Sequence, residues 1–311
     1  MLYIDAESVR SLTPWPELIS RLEGAFRSHC HMPARLRYEI GAEGSLLAMP
    51  AWIENGSMGV KLVQVFPGNS KLGKPAVHGL YMLASAVTGE VQAAIDADEL
   101  TTRRTAATSA LASKFLSRED SRCLLLVGAG RLAADVAAAH AQVRPIERIL
   151  VWARRPDAAA ARALEIAALL EIQVEAIGSL PEGVAQADIV STITTSSEPL
   201  LLGREVRAGT HLDLIGAFTP RMRETDDQAI RMSRIFVDMR SAALREAGDI
   251  VDPIARGVIT EADINADLFD LCAGGAARQS SDEVTLFKSV GLALEDLAAA
   301  SLAWDLKRAA D

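Results

Sequence analysis

The segment Cys123–Arg155 constrains the fold of this chain more than any other. An apolar stretch, Cys123-Leu-Leu-Leu-Val127, runs into Gly128-Ala-Gly-Arg-Leu-Ala133. An alanine-rich helical stretch follows, and then a second apolar stretch that ends Trp152-Ala-Arg-Arg155. A strand that meets a glycine turn, with the turn opening a helix, is the start of a βαβ unit. Gly128 permits the tight turn, Gly130 lets backbone N–H groups approach a pyrophosphate, and Ala133 lets helix and strand pack closely. Small residues also make ordinary strand–helix turns, so the flanks decide. Here they have the required strand before and helix after, which predicts a dinucleotide-binding turn and a nicotinamide cofactor.

The rest of the chain divides around this turn. After it, Ile149–Ala153, Gln173–Ile177, Ile189–Thr194, Leu212–Gly216 and Ile235–Met239 read as strands, with alanine-rich helical segments between several of them. Short connections between alternating strands and helices imply right-handed crossovers and a parallel, doubly wound sheet. Before the turn, Asp5 can cap a short helix, and Trp15, Leu18, Ile19, Leu22 and Phe26 repeat at helical spacing. Leu46–Met49, Met58–Phe66, Gly79–Ser85 and Glu90–Ile95 then read as strands, and a helix runs from Thr101 to about Leu116. The last helix, from Leu292 to about Ala309, is expected to return to the first domain. The expected architecture is α/β: a Rossmann doubly wound parallel sheet over 118–287, and an α+β substrate-binding and dimerisation domain over 1–117 with 288–311.

Composition narrows the function classes. A net charge of −9 over 311 residues argues against a nucleic-acid partner, which would need a basic face. No run is long and apolar enough to span a bilayer, and no basic leader precedes an apolar segment, so a membrane or secretory protein is not expected. The three cysteines, Cys30, Cys123 and Cys272, are far apart and read as reduced thiols. The five histidines show no metal-ligand spacing. A cytoplasmic enzyme without a metal is the expectation.

Candidate cofactor contacts are the turn residues Gly128, Ala129, Gly130, Arg131 and Leu132, with Thr192 and Thr194 at the end of a later strand. Enzymes that use NAD place Asp or Glu at the end of the second strand, on the adenosine ribose. Here Arg154 and Arg155 follow that strand. A guanidinium can bind a 2′-phosphate through two hydrogen bonds, so NADPH is the expected cofactor, with NAD(H) as the alternative. In the first domain, Lys61 sits in an apolar strand, and Arg104 lies in the first turn of a helix, poorly placed against the helix dipole. With Arg35 these cations suggest a pocket for a small carboxylate.

Several blocks carry a family resemblance: Gly59-Val-Lys-Leu-Val, Phe66-Pro-Gly-Asn, Pro75-x-Val-His-Gly, Arg104-Thr-Ala-Ala-Thr-Ser, Gly128-Ala-Gly, and Ser281-Asp-Glu-Val-Thr-Leu-Phe-Lys-Ser-Val-Gly-Leu-Ala-Leu-Glu-Asp296. Over nearly the whole chain the sequence resembles the ornithine cyclodeaminase/μ-crystallin family. The resemblance implies a homodimer acting on a small imino or amino acid. It implies that Arg35, Lys61 and Arg104 hold the substrate carboxylate and the reacting nitrogen, that Thr105 touches cofactor phosphate, and that Val290 and Gly291 line the nicotinamide pocket. Cations converging on the carboxylate would also depress the pKa of Lys61 and make it a usable proton donor.

Two departures from the family pattern bear on the reaction. The cyclodeaminases proper carry Gly-Gly-Asp after the strand matching Leu212–Gly216, with that Asp as acid/base; here the stretch reads Gly216-Ala217-Phe218. Phe218 cannot titrate, and Asp226 and Asp227 could replace the acid only if the loop folds back. The ornithine enzymes also place a Glu two residues before Met-Pro, and here that position is Leu47. Both point to NAD(P)H-dependent reduction of a cyclic ketimine carboxylate such as Δ1-pyrroline-2-carboxylate, with Lys61 and Arg104 catalytic and Phe218 against the ring. The alternatives are ornithine cyclodeaminase, an alanine-dehydrogenase-like oxidoreductase, and a non-catalytic NADPH-binding protein like μ-crystallin.

Overall fold

A computed structural model describes residues 1–41, 44–275 and 277–310. The chain forms two compact units, Met1–Thr105 with Leu292–Asp311, and Ala106–Gly291. The first division falls inside one long helix, because helical hydrogen bonding does not stop where the packing partner changes.

The first unit is built on six strands: β1 (Leu2–Ile4), β2 (Leu36–Ile40), β3 (Gly44–Trp52), β4 (Ser57–Val65), β5 (Val77–Ser85) and β6 (Val91–Asp96). Their order is β1-β6-β5-β4-β3-β2, antiparallel except for the parallel β1–β6 pair. β1 and β2 carry too few alternating residues to be legible in the sequence. Asp5 caps α1 (Ala6–Ser11) by accepting the Ser8 N–H at 2.9 Å, and α2 (Trp15–Arg27) starts on Trp15-Pro16. The expected helix at Thr101 begins earlier, as α3 (Ala97–Leu116), where Asp96 accepts the Glu99 N–H at 2.8 Å. Arg103 stacks 3.3 Å over the Trp15 ring and bonds Thr13, tying α3 to the α1–α2 turn.

Strand register puts Ile4, Ile95, Tyr81, Lys61 and Met49 in one row across this sheet, each at most 6% exposed. The C-terminal helix, Ala293–Ala310, packs against β3, β4, β5 and α2. On the alternate positions Leu36, Ala48, Leu62 and Leu80 share a row, and Leu36 and Leu80 are exposed.

The second unit is a wholly parallel eight-stranded sheet: β7 (Cys123–Val127), β8 (Arg148–Trp152), β9 (Gln173–Ala176), β10 (Ile189–Thr192), β11 (His211–Leu214), β12 (Arg234–Val237), β13 (Ile264–Asp267) and β14 (Thr285–Lys288). The order is β13-β12-β14-β11-β10-β7-β8-β9. The chain runs outward through β8 and β9, then returns to lay β10 on the other side of β7. The strand order therefore reverses between β7 and β10, and doubly wound sheets bind ligands at the carboxyl ends of strands beside such a reversal. Helices α4 (Ala133–Val143), α5 (Pro156–Leu169) and α6 (Leu180–Gln186) join the first of these strands. Leu125, Val127, Leu150, Val190, Leu212 and Leu286 form the centre of the core. β13 and β14 are four residues each and were not expected; fully buried β14 shows no alternation to read. Among the described residues no helix is long and apolar enough to cross a membrane.

Candidate active site

A lone lysine in a strand is ordinarily solvated, but Lys61 is 3% exposed, and a buried ammonium needs a counter-charge. Asp296, in the first turn of the C-terminal helix, supplies it. Lys61 Nζ donates to Asp296 Oδ1 at 2.9 Å and to Thr101 Oγ1 at 3.2 Å. Arg104, one helical turn beyond Thr101 on α3, donates from Nε to Asp296 Oδ1 at 3.0 Å and from Nη1 to Glu295 Oε2 at 2.7 Å. Both carboxylates are fully buried, whereas the Arg104 side chain keeps 8% of its surface. Lys61 and Arg104, two of the three expected cations, are therefore brought together, on two acids to which the sequence alone assigns no role.

The electrostatics follow from burial. Burial pushes the Lys61 pKa down to about 8; Asp296 resists the shift and Arg104 adds to it. Burial also pulls on Arg104, but Asp296 and Glu295 more than offset it, so its pKa is raised and the guanidinium stays charged. Tyr81, paired with Lys61 across β4 and β5, is fully buried, and its hydroxyl has no partner among the described residues. Burial, then the Asp296 charge, holds this phenol well above its usual pKa, so it remains neutral. Its room exists because residue 59 is glycine: a Cβ there would stand 2.3 Å from the phenol oxygen.

Arg35 lies one residue before the Leu36–Ala48 pair, at the register position next to Met49 and in line with Lys61; it is partly buried. Leu47 sits two residues along β3 from Met49, on the same face, and brings no carboxylate there. Thr105 turns its hydroxyl back to the Thr101 carbonyl at 2.7 Å.

In the second unit the glycine turn has the geometry a pyrophosphate requires. Gly128 has φ +122°, and a Cβ there would lie 2.8 Å from the Ile193 carbonyl oxygen. At Gly130 a Cβ would meet nothing within 4 Å, so this side of the turn is open. α4 then starts at Ala133 with no side-chain cap from Leu132, and a helix N-terminus beside a glycine turn suits an anion. The partly exposed run Gly128, Ala129, Gly130, Arg131 and Leu132 thus fits a dinucleotide. Arg162 of α5, which the sequence reading passed over, donates from Nε to the Ala129 carbonyl at 3.4 Å.

β8 stops at Trp152, one residue short of the expected end, and Arg154 and Arg155 are both exposed. Arg155 pairs with Asp157 at 3.0 Å in an exposed contact, whereas Arg154 has no partner among the described residues. Thr192 and Thr194 are turned inward: both hydroxyls donate to buried Glu224 at 2.8 Å, and the Thr194 N–H does the same. Burial raises the Glu224 pKa, and the nearby Lys288 ammonium opposes that. Lys288, fully buried, donates to the Leu214 carbonyl at 3.1 Å and to that of Gly216.

Asp238 shapes the segment expected to line the nicotinamide pocket. Its Oδ2 accepts the N–H groups of Val290 at 2.7 Å and Gly291 at 2.9 Å, and its Oδ1 accepts that of Met239 at 2.8 Å. Phe218 is half exposed and follows Ala217, whose φ of +50° is left-handed. A glycine is the residue expected at such a position, as in the Gly-Gly-Asp pattern. Neither downstream aspartate is available as a substitute acid. Asp226 caps helix α7 (Asp227–Met232) by accepting the Ala229 N–H at 2.8 Å and also accepts that of Gly203. Asp227 is held by Arg256 and Arg223, which bring its pKa down to about 2.

A doubly wound dinucleotide unit, together with an α+β unit carrying a buried Lys–Arg–carboxylate cluster, defines a Rossmann-type protein of two units. The chain belongs to the ornithine cyclodeaminase/mu-crystallin family, whose model matches residues 2–310. A Δ1-pyrroline-2-carboxylate reductase of Paracoccus denitrificans is 44% identical over 260 residues, 83% of this chain and 82% of its own length. The structure of Thermococcus litoralis Δ1-pyrroline-2-carboxylate reductase, in complex with NADH and L-proline, matches with a TM-score of 0.94 and 34% identity over 99% of this chain and 98% of that one. An archaeal alanine dehydrogenase dimer with bound NAD matches with a TM-score of 0.93 and 31% identity over 100% of this chain and 97% of that one.

Proposed function

We propose that this protein reduces a cyclic ketimine carboxylate, with Δ1-pyrroline-2-carboxylate as the model substrate, to the corresponding L-amino acid. The observation that carries this is the Lys61–Asp296–Arg104 cluster, a buried proton donor beside a guanidinium, in a chain whose loop offers Phe218 in place of an acid. The named reductase relatives support it.

Arg104 binds the substrate carboxylate through the donors that Asp296 and Glu295 do not use, and Arg35 adds a second cation. Lys61, oriented by Asp296 and Thr101, hydrogen-bonds the imine nitrogen and gives it a proton. Protonating the nitrogen makes the adjacent carbon electrophilic. Bound NAD(P)H supplies the hydride. The residues suited to hold it are Gly128, Ala129, Gly130, Arg131 and Leu132, with Arg154 for a 2′-phosphate; Glu224 and Asp238 position Thr192, Thr194, Val290 and Gly291. Arg154 favours NADPH over NADH, since Arg155 is already paired with Asp157.

A cyclodeaminase would have to move protons between two nitrogen centres and hold a distal ammonium. Phe218, Leu47 and the committed Asp226 and Asp227 supply neither function. We further propose a homodimer through the outer face of the six-stranded sheet, where Leu36, Tyr38, Ile40 and Leu80 are exposed. Among the described residues Cys30, Cys123 and Cys272 form no disulfide, in keeping with a cytoplasmic enzyme.

The test is a paired assay: NADPH with Δ1-pyrroline-2-carboxylate, and NAD with ornithine, following cofactor absorbance and ammonia. Cofactor oxidation only with the imine is expected. Ammonia and proline from ornithine without imine reduction would establish the lyase instead. Stoichiometric NADPH binding without any turnover would point to a binding protein.

A further inference from the structure

Lys288 is the last residue of β14 and is fully buried. Strand register places it in the final row of the eight-stranded sheet, through Trp152, Val127, Thr192, Leu214, Lys288 and Val237, where it is the one charge among the six. A well-packed apolar residue would serve the fold there as well as a buried ammonium does. In a doubly wound sheet the adenosine ribose goes to the end of the second strand, here β8, so the nicotinamide half is directed across the reversal to the ends of β10, β11 and β14. The segments 192–194, 216–218 and 289–291 leave those ends, and Lys288 is tied to all three. Its ammonium donates to the Leu214 carbonyl at 3.1 Å and to that of Gly216. Its charge favours the ionised form of Glu224, which accepts from Thr192 and Thr194, and of Asp238, which accepts from Val290 and Gly291. The packing is close, since a Cβ at Gly216 would run into the Thr194 carbonyl and the Glu224 carboxylate.

We infer that Lys288 is a positioning residue for the nicotinamide half of the cofactor. It acts from beneath, by holding the Gly216 carbonyl and balancing Glu224, and so fixes the 192–194 and 216–218 segments together. Without the ammonium the Gly216 carbonyl loses this donor and Glu224 is left as a buried charge without its counter-charge. The glycine turn and the end of β8, which serve the adenosine half, lie on the other side of the reversal and do not depend on it. The inference rests on a nicotinamide cofactor at this edge and not on which substrate is reduced.

The test is calorimetric binding of NADPH and of 2′-phospho-ADP-ribose, which lacks only the nicotinamide, with NADH and ADP-ribose run alongside so that the cofactor preference does not decide the result. The wild-type protein should bind the whole cofactor about tenfold or more tighter than its fragment. In Lys288→Met that gap should fall to about threefold or less while the fragment binds as before. The double variant Lys288→Met/Glu224→Gln removes both charges, leaves no unpaired carboxylate at position 224, and should show the same narrowed gap if the single variant does not fold. A merely structural role would weaken whole cofactor and fragment by the same factor. That result, a gap unchanged in either variant, no gap in the wild-type protein, or failure of both variants to fold would overturn the inference. A narrowed gap in a protein that reduces no imine would remove the reductase assignment and leave the role of Lys288 standing.

Discussion

Lys61 Nζ and Asp296 Oδ1 lie 2.9 Å apart, with both side chains withdrawn from solvent. Burial pulls the Lys61 pKa down to about 8 and Asp296 holds it from falling further. The proton donor is the ammonium, so kcat/KM should be level below the Lys61 pKa and fall as the pH rises through about 8. In Asp296→Asn the supporting charge is gone, and the alkaline limb should move to lower pH. A limb unmoved in Asp296→Asn would separate the two residues functionally.

The glycine turn gives a contrast within three residues. Gly130→Ala places a methyl in open space, so melting should be unchanged while NADPH, titrated by fluorescence, binds at least tenfold more weakly. Gly128→Ala forces a side chain into φ +122° and against the Ile193 carbonyl, and should also cost about 2 kcal/mol of stability. Equal melting losses in the two variants would mean that the turn is a packing feature only.

Asp238 accepts three backbone N–H groups from inside the fold. Asp238→Ala removes the acceptor that all three share and should cost about 3 kcal/mol or more in chemical denaturation. A loss under 1 kcal/mol would show that the Val290–Gly291 segment is held by other contacts.

Tyr81→Phe removes a buried hydroxyl with no partner among the described residues, so thermal unfolding should stay level or rise slightly. A clear drop in melting temperature would reveal a hydrogen bond to this oxygen.

The doubly wound sheet was legible because the Cys123–Ala133 and Ile149–Arg155 blocks carry their own strand, turn and helix signals. Short β13 and β14 lack alternation, and β14 takes its place between β11 and β12 only through pairing distant in sequence. Lys61 and Arg104 were legible as cations out of place. Their partners were not, since Glu295 and Asp296 in a first helical turn look like ordinary dipole-compensating acids. Only the return of the C-terminal helix to β3, β4 and β5 turns them into counter-charges. Glu224, Lys288 and Asp238 were missed for the same reason: each acts on backbone groups far away in the chain.

The central claim is that Lys61 moves the proton in an imine reduction. The most direct measurement is kcat for NADPH-dependent reduction of Δ1-pyrroline-2-carboxylate by Lys61→Ala, with Cys123→Ser as the control. Lys61→Ala should lose about a hundredfold or more in kcat, the range for removing a general acid, while Cys123→Ser stays near wild type. Comparable losses in the two variants would take Lys61 out of the mechanism.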